Sequence, residues 1–232
     1  MTDEEIKLDL LRAERIGLGE AVFCAQKSRA QIERILELAT DAGSPLLLTR
    51  LEDDMHAGLA RRFRDDLDYD PVSQTAFFRH GTSDAPGHAR VVIVAAGTSD
   101  ARPAREALRT LAFNRVDATI IFDVGVAGLW RLMDRLEEIR RHDVIIAVAG
   151  MDAALVSVLG GLVAQPLIAV PTSTGYGAAR QGETALAASL ASCAAGVTVC
   201  NIDNGYGAAC AALRILGRLE ARQGTATSEG TS

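Results

Sequence analysis

The chain has 232 residues, a formal net charge of −6 and 48% hydrophobic content, enough apolar material for a real core in one large domain or two small ones. An acidic balance with no Lys/Arg cluster interleaved with aromatics argues against a nucleic-acid partner. No apolar run nears the roughly eighteen residues that would span a bilayer, so no membrane partner is expected and the location expected is cytoplasmic.

Residues 1–80 read as a small N-terminal α/β domain. Helices are expected near 4–16 and 28–41, then a short apolar run PLLLTR at 45–50, a helix around 52–66 and a further run TAFFRH at 75–80. The segment 81–89, in RHGTSDAPGHAR, is dense in turn formers and reads as a linker.

The pattern from 90 to 222 is more regular. Five β-branched apolar runs appear, RVVIVAA, ATIIFDV, DVIIAVA, PLIAV and VTVCNI, each followed by a loop and an Ala/Leu-rich stretch of helical character. Such alternation predicts a doubly wound parallel sheet with right-handed crossovers and helices on both faces. The polar segment 223–232, rich in Gly, Ser and Thr, reads as a disordered tail.

Each run ends at a glycine-bearing loop: Gly97 in AAGTSD, Gly125 in FDVGVAG, Gly150 in VAGMDA, Gly175 in TSTGYG and Gly205 in DNGYG. In a parallel sheet all five lie on the carboxyl edge, where ligands of such folds bind and glycine lets backbone N–H groups approach them. The two copies of Gly-Tyr-Gly-Ala-Ala, at 175–179 and 205–209, are then neighbouring strand-to-helix turns. Beside the glycines stand Thr98, Ser99, Asp100, Asp123, Asp152, Thr172, Ser173, Thr174, Asp203 and Asn204, groups suited to ribose, phosphate and a transferred proton. Asp100 and Asp152 can equally be read as caps of the helices that follow them.

Four cysteines, Cys24, Cys193, Cys200 and Cys210, form no C-x-x-C pair, and the four histidines are scattered. Neither a disulfide framework nor a zinc site is supported. Cys200 and Cys210 read as core residues.

The loop AAGTSD resembles the phosphate-binding loop of aminoimidazole ribonucleotide carboxylases. The ordered series AGTSDARPAREA, DVGVAGLWRL, AVAGMDAAL, GGLVAQPLIAVPTSTGYGAA and SCAAGVTVCNIDNGYGAA is similar to the pyridinium-3,5-biscarboxylic acid mononucleotide synthases. These are the LarB-type carboxylase/hydrolases of nickel-pincer nucleotide synthesis. ERIGLGEAVFCAQKSRAQI and LLLTR resemble that family's smaller N-terminal domain.

The resemblance implies a flavodoxin-like fold and an octamer built on the C-terminal domains. It also implies carboxylation of nicotinic acid adenine dinucleotide at ring carbon five, with CO2 as co-substrate, and hydrolysis of the phosphoanhydride to release AMP. By the same resemblance Cys193 is the nucleophile and Asp152 the acid/base, an aspartate where the family usually carries glutamate. The implied substrate-binding set is Gly97, Thr98, Ser99, Asp100, Asp123, Gly125, Gly150, Met151, Thr172, Ser173, Gly175, Tyr176, Gly177, Asp203, Asn204 and Gly205. Tyr176 and Tyr206 could stack on a ring or merely cover the domain edge. Trp130 stands where related sequences often carry histidine. No resident cofactor is expected, although a divalent cation such as Mg2+, on Asp100, Asp123 or Asp203, is an open option for the hydrolytic step. The rival readings are an aminoimidazole ribonucleotide carboxylase, which needs no thiol, and a dinucleotide-binding sensor without catalysis.

Overall fold

The computed structural model describes residues 6–81 and 89–229. The chain divides into two compact units, Met1–Ala85 and Pro86–Ser232. The division falls inside the segment 81–89 read as a linker, of which residues 82–88 lie outside the described residues.

The first unit runs α1 (Arg12–Ile16), β1 (Ala21–Phe23), α2 (Arg29–Asp41), β2 (Leu46–Thr49), α3 (Asp53–Gly58), α4 (Arg61–Arg64), β3 (Leu67–Asp70) and β4 (Thr75–Phe78). Its sheet has the order β1-β2-β4-β3, with β1 and β2 parallel and the other pairs antiparallel. The second helix begins at a capping box: Ser28 Oγ accepts from the Gln31 N–H at 3.3 Å, and Gln31 Oε1 accepts from the Ser28 N–H at 2.8 Å. From there Ile32, Ile35, Leu36 and Ala39, at helical spacing, share a core with Val22, Leu46, Leu48 and Phe78 of the sheet.

Three expectations for this unit need correcting. The helix expected around 52–66 is two short helices, because Leu59 between them is extended (φ −63°, ψ 149°). The helix expected near 4–16 is confined, among the described residues, to Arg12–Ile16. Two strands, β1 and β3, were not foreseen. Their sequences, AVF and LDYD, are too short to show an alternating pattern.

The second unit follows the expected alternation. Its elements are β5 (Val91–Ala95), α5 (Ala101–Phe113), β6 (Ala118–Ile121), α6 (Leu129–Ile139), β7 (Val144–Ala149), α7 (Ala154–Gly160), β8 (Leu167–Pro171), α8 (Glu183–Leu190), β9 (Thr198–Val199) and α9 (Gly205–Glu229). All neighbouring strands are parallel, in the order β6-β5-β7-β8-β9. This is the flavodoxin-like arrangement.

Successive side chains along the central strands go to opposite faces. Val92, Val94, Ile145 and Ala147 pack with Leu132 and Leu136 of α6 and with Leu155 and Leu159 of α7. Val91, Ile93, Ile146 and Val148 pack with Ala104, Ala107 and Leu111 of α5 and with Ala208, Ala209 and Ala212 of α9. Both faces are covered, which is why these strands read as unbroken apolar runs. Small residues let α5 and α9 approach closely: a Cβ on Gly205 would overlap the Pro103 carbonyl oxygen and come within 2.9 Å of the Ala107 nitrogen.

The last helix continues through the segment expected to be a disordered tail, so residues 223–229 are helical, and 230–232 lie outside the described residues. LEAR, which leads into that segment, is made of good helix formers, and the single Gly224 is not enough to stop the helix. Among the described residues no helix is long and apolar enough to cross a membrane.

Candidate active site

In this strand order the crossover α5 leaves β5 over one face and α6 returns to β7 over the other, which opens a crevice at the carboxyl ends of β5 and β7. The loops after β5, β7, β8 and β9 meet there through a network of side-chain and backbone hydrogen bonds.

Asp100 is its buried centre, 3% exposed. One carboxylate oxygen accepts from the Gly97 N–H at 3.0 Å and the other from Thr172 Oγ1 at 2.6 Å, tying the β5 loop to the end of β8. Burial pushes this carboxyl above its ordinary value, against the opposing pull of its hydrogen bonds. Thr174 Oγ1 donates to the Ser99 carbonyl at 3.2 Å, and the Met151 N–H donates to the Thr174 carbonyl at 2.9 Å, which draws in the β7 loop. Gly150 is required at this junction, since a Cβ there would overlap the Thr174 carbonyl oxygen and Thr172 Oγ1. Asp203 accepts from the Ser173 N–H at 2.9 Å and, through its other oxygen, from Arg102 Nη2 at 3.1 Å.

The backbone of this edge is strained. Asp123, Met151, Ala153, Arg180, Gln181 and Asp203 all take left-handed φ values between 46° and 62° without being glycine. Strain of this kind persists where surrounding structure over-determines it, and it gathers at functional sites.

Next to the network lies an open cleft of about 430 Å3 lined by Met151, Asp152, Tyr176, Gly177, Ala178, Ala179 and Thr184. Its size suits a mononucleotide. Asp152 is exposed, and its one hydrogen bond among the described residues is a long one, accepting from the Ala154 N–H at 3.4 Å. The cap position of α7 belongs to Ala153 instead. The cap alternative for Asp152 is therefore weak, and its carboxylate is available to a ligand. Tyr176 is 82% exposed on the same wall.

Other expected residues fall differently. Asn204 Oδ1 accepts from the Gly207 N–H at 2.7 Å and Glu106 Oε2 from the Tyr206 N–H at 3.2 Å, so the first amides of α9 are taken up by protein groups. Asp123 is ion-paired with Arg131 at 2.7 Å, beside Gly125, whose missing Cβ would lie 2.9 Å from the Ala96 carbonyl oxygen. Thr98 and Ser99 are exposed in the turn after β5.

Cys193 is not in the cleft. It follows α8 near the amino edge of the sheet: its neighbour Ser192 bonds Ser157 of α7 at 2.8 Å, and a Cβ on Gly160, at the end of α7, would meet Ala194. Asp152 precedes the start of α7, whereas the neighbours of Cys193 meet that helix at Ser157 and Gly160, in its middle and at its end. The thiol is exposed. By contrast, burial raises the thiols of Cys200 and, to about 12, of Cys24, as befits packing residues.

The three aspartates considered for a divalent ion do not fit one. Asp100 is committed to Gly97 and Thr172, Asp123 to Arg131 and Asp203 to Arg102 and Ser173. Among the described residues no group of three or more His, Cys, Asp or Glu is placed to hold a metal. Sequence reasoning also missed Arg102, Arg131 and Glu106. Arg102 and Asp203 are 101 positions apart, and no local pattern announces a pair at that separation.

Comparison with known proteins agrees with this geometry. Residues 90–228 match the AIR carboxylase family model, and residues 3–80 match the LarB/PurE-like N-terminal domain. An uncharacterized protein of Methanocaldococcus jannaschii, MJ0165, is 36% identical over 214 residues, covering 89% of this chain and 82% of its own. With a flavodoxin-like sheet, a polar loop network at its switch point and both domains matched in order, the chain belongs to the AIR carboxylase family in its LarB-type arrangement, a carboxylase-type enzyme.

Proposed function

We propose that the protein carboxylates nicotinic acid adenine dinucleotide at ring carbon five and hydrolyses its phosphoanhydride, giving pyridinium-3,5-biscarboxylic acid mononucleotide and AMP. The observation that carries this reading is the open cleft with the free carboxylate of Asp152 on its wall, adjoining a hydroxyl-rich loop network.

A pyridinium ring is electron-poor and cannot attack CO2. Addition of a thiolate forms a carbon–sulfur bond and a neutral dihydropyridine, whose carbon five is nucleophilic in the manner of an enamine. That carbon bonds to CO2, Asp152 takes the proton from the carboxylated carbon, and departure of the thiolate restores the aromatic cation. Separately, water adds at one phosphorus of the anhydride and AMP leaves.

Because Cys193 and Asp152 lie at different ends of α7 in one chain, the reading takes the thiolate at each cleft from Cys193 of a second copy of the chain. A mixture of Cys193→Ala and Asp152→Asn chains, unfolded and refolded together, is then expected to regain part of the activity that each variant alone lacks. The same separation favours a second reading, carboxylation of aminoimidazole ribonucleotide, which needs no thiol.

The deciding experiment is mass spectrometry of products after incubation with the dinucleotide and labelled bicarbonate, with aminoimidazole ribonucleotide in a parallel arm. A labelled dicarboxylated mononucleotide and AMP from the wild type, with no ring carboxylation by Cys193→Ala, are the expected results. Turnover of aminoimidazole ribonucleotide alone, unaffected by loss of the thiol, would replace the first reading by the second. Binding of the dinucleotide with no product from either substrate would point to a sensor.

A further inference from the structure

We propose that Arg102, braced by Asp203, is the specificity-determining residue that takes the carboxylate of the pyridinium ring, so that the site selects the acid form of the nucleotide over its amide. This rests on the function proposed above and names the residue that would choose the substrate.

Arg102 lies in the first turn of α5, immediately after the turn Thr98–Asp100. Its Nη2 donates to Asp203 Oδ2, and the other oxygen of that carboxylate is held by the Ser173 N–H, so the brace is fixed from two loops at once. The Asp203 side chain is only 12% exposed, whereas that of Arg102 is 40% exposed. Among the described residues Nε and Nη1 of Arg102 have no hydrogen-bond partner, although the side chain is held in place.

A guanidinium is a planar fork of five donors, and one donor spent on Asp203 leaves an edge free for a two-point contact with a planar carboxylate. A carboxamide has the same outline, but it carries no charge and would turn an N–H group towards the donors. The other arginine ion-paired at this edge, Arg131, is held by Asp123 beyond β6, away from the loops after β8 and β9. Asp203 offsets part of the Arg102 charge, so the expected discrimination is that of one charge-assisted contact, about 10- to 100-fold.

The test is calorimetric titration of the full chain with nicotinic acid mononucleotide, nicotinamide mononucleotide and AMP, for the wild type, Arg102→Gln and Arg102→Lys. The wild type should prefer the acid by about 10- to 100-fold, and Arg102→Gln should bring the ratio near one with AMP affinity changed by less than about twofold. Lysine keeps the charge without the fork and should lower the ratio about fivefold, which serves if the glutamine variant fails to fold. A ratio unchanged in a folded variant, a wild type without preference, no binding of the acid, or an equal loss of AMP affinity would each overturn the proposal. Loss of the preference in a protein that yields no carboxylated product would sustain this inference and remove the proposed reaction. An unchanged ratio together with product would do the reverse.

Discussion

Asp152 and Asp100 are both carboxylates at the carboxyl edge, and their surroundings suit them to different parts in the proposed reaction. Asp152 is exposed beside the cleft with one long backbone contact, so Asp152→Asn should leave the thermal midpoint nearly unchanged and lower labelled CO2 incorporation by about 10²- to 10⁴-fold, the usual worth of a positioned base. Asp100 is buried, and burial raises its folded-state value above the ordinary 3.8. A raised carboxyl binds its proton more tightly folded than unfolded, so its contribution to stability is fully present below 3.8 and is lost as pH rises through the folded value. Denaturant titrations of the wild type and Asp100→Asn at several pH values, starting below 3.8 and rising, check this. The stability of the wild type relative to the variant should fall as pH rises, and a pH-independent difference would contradict the assignment.

At the level of elements, the site depends on how closely loops and helices approach. Gly205 begins α9 against α5, and Gly205→Ala would force its Cβ onto the Pro103 carbonyl oxygen. The helices must part, at a cost of about 1–3 kcal/mol in unfolding free energy. Since Asp203 and Asn204 immediately precede this glycine, nucleotide affinity should fall as well, a pairing that calorimetry and chemical denaturation together would reveal. In the first unit, Ser28→Ala removes one half of the α2 capping box and should cost about 1 kcal/mol. That change is remote from the cleft residues in sequence, and turnover of the folded protein is expected to be unaltered.

For the whole molecule, each unit has a buried cluster of its own: one around Ile32, Leu36, Leu46 and Phe78, and two on the faces of the parallel sheet. A fragment covering residues 89–232 is accordingly expected to fold alone, with a cooperative melt and measurable AMP binding. A fragment that melts without a transition would show that the second unit needs the first. The two units also differ in how well their sequences announce them. The three inner strands of the parallel sheet are visible because burial on both faces demands continuous runs such as VVIVA and VIIAVA, and the two edge strands are marked by their place in the regular alternation. Half of the mixed sheet is not, because AVF and LDYD are edge strands with little burial to mark them.

The sequence by itself determined the order of elements in the second unit, its parallel sheet, and the gathering of five glycine loops on one edge, since these follow from local periodicity and from the rule that successive parallel strands end on the same side. It also placed Asp152 on that edge, since a residue just after a strand-ending glycine lies there, while only the family resemblance set it apart from the other polar residues of the edge. Only the tertiary structure decided which side chains meet. It paired Arg102 with Asp203, buried Asp100 under Thr172, gave Asn204 to the amides of α9, and set Cys193 near the far end of α7. The physical reason is distance along the chain: hydrogen bonds and ion pairs between residues 72 or 101 positions apart leave no period in the sequence, and they exist only once the strands are packed.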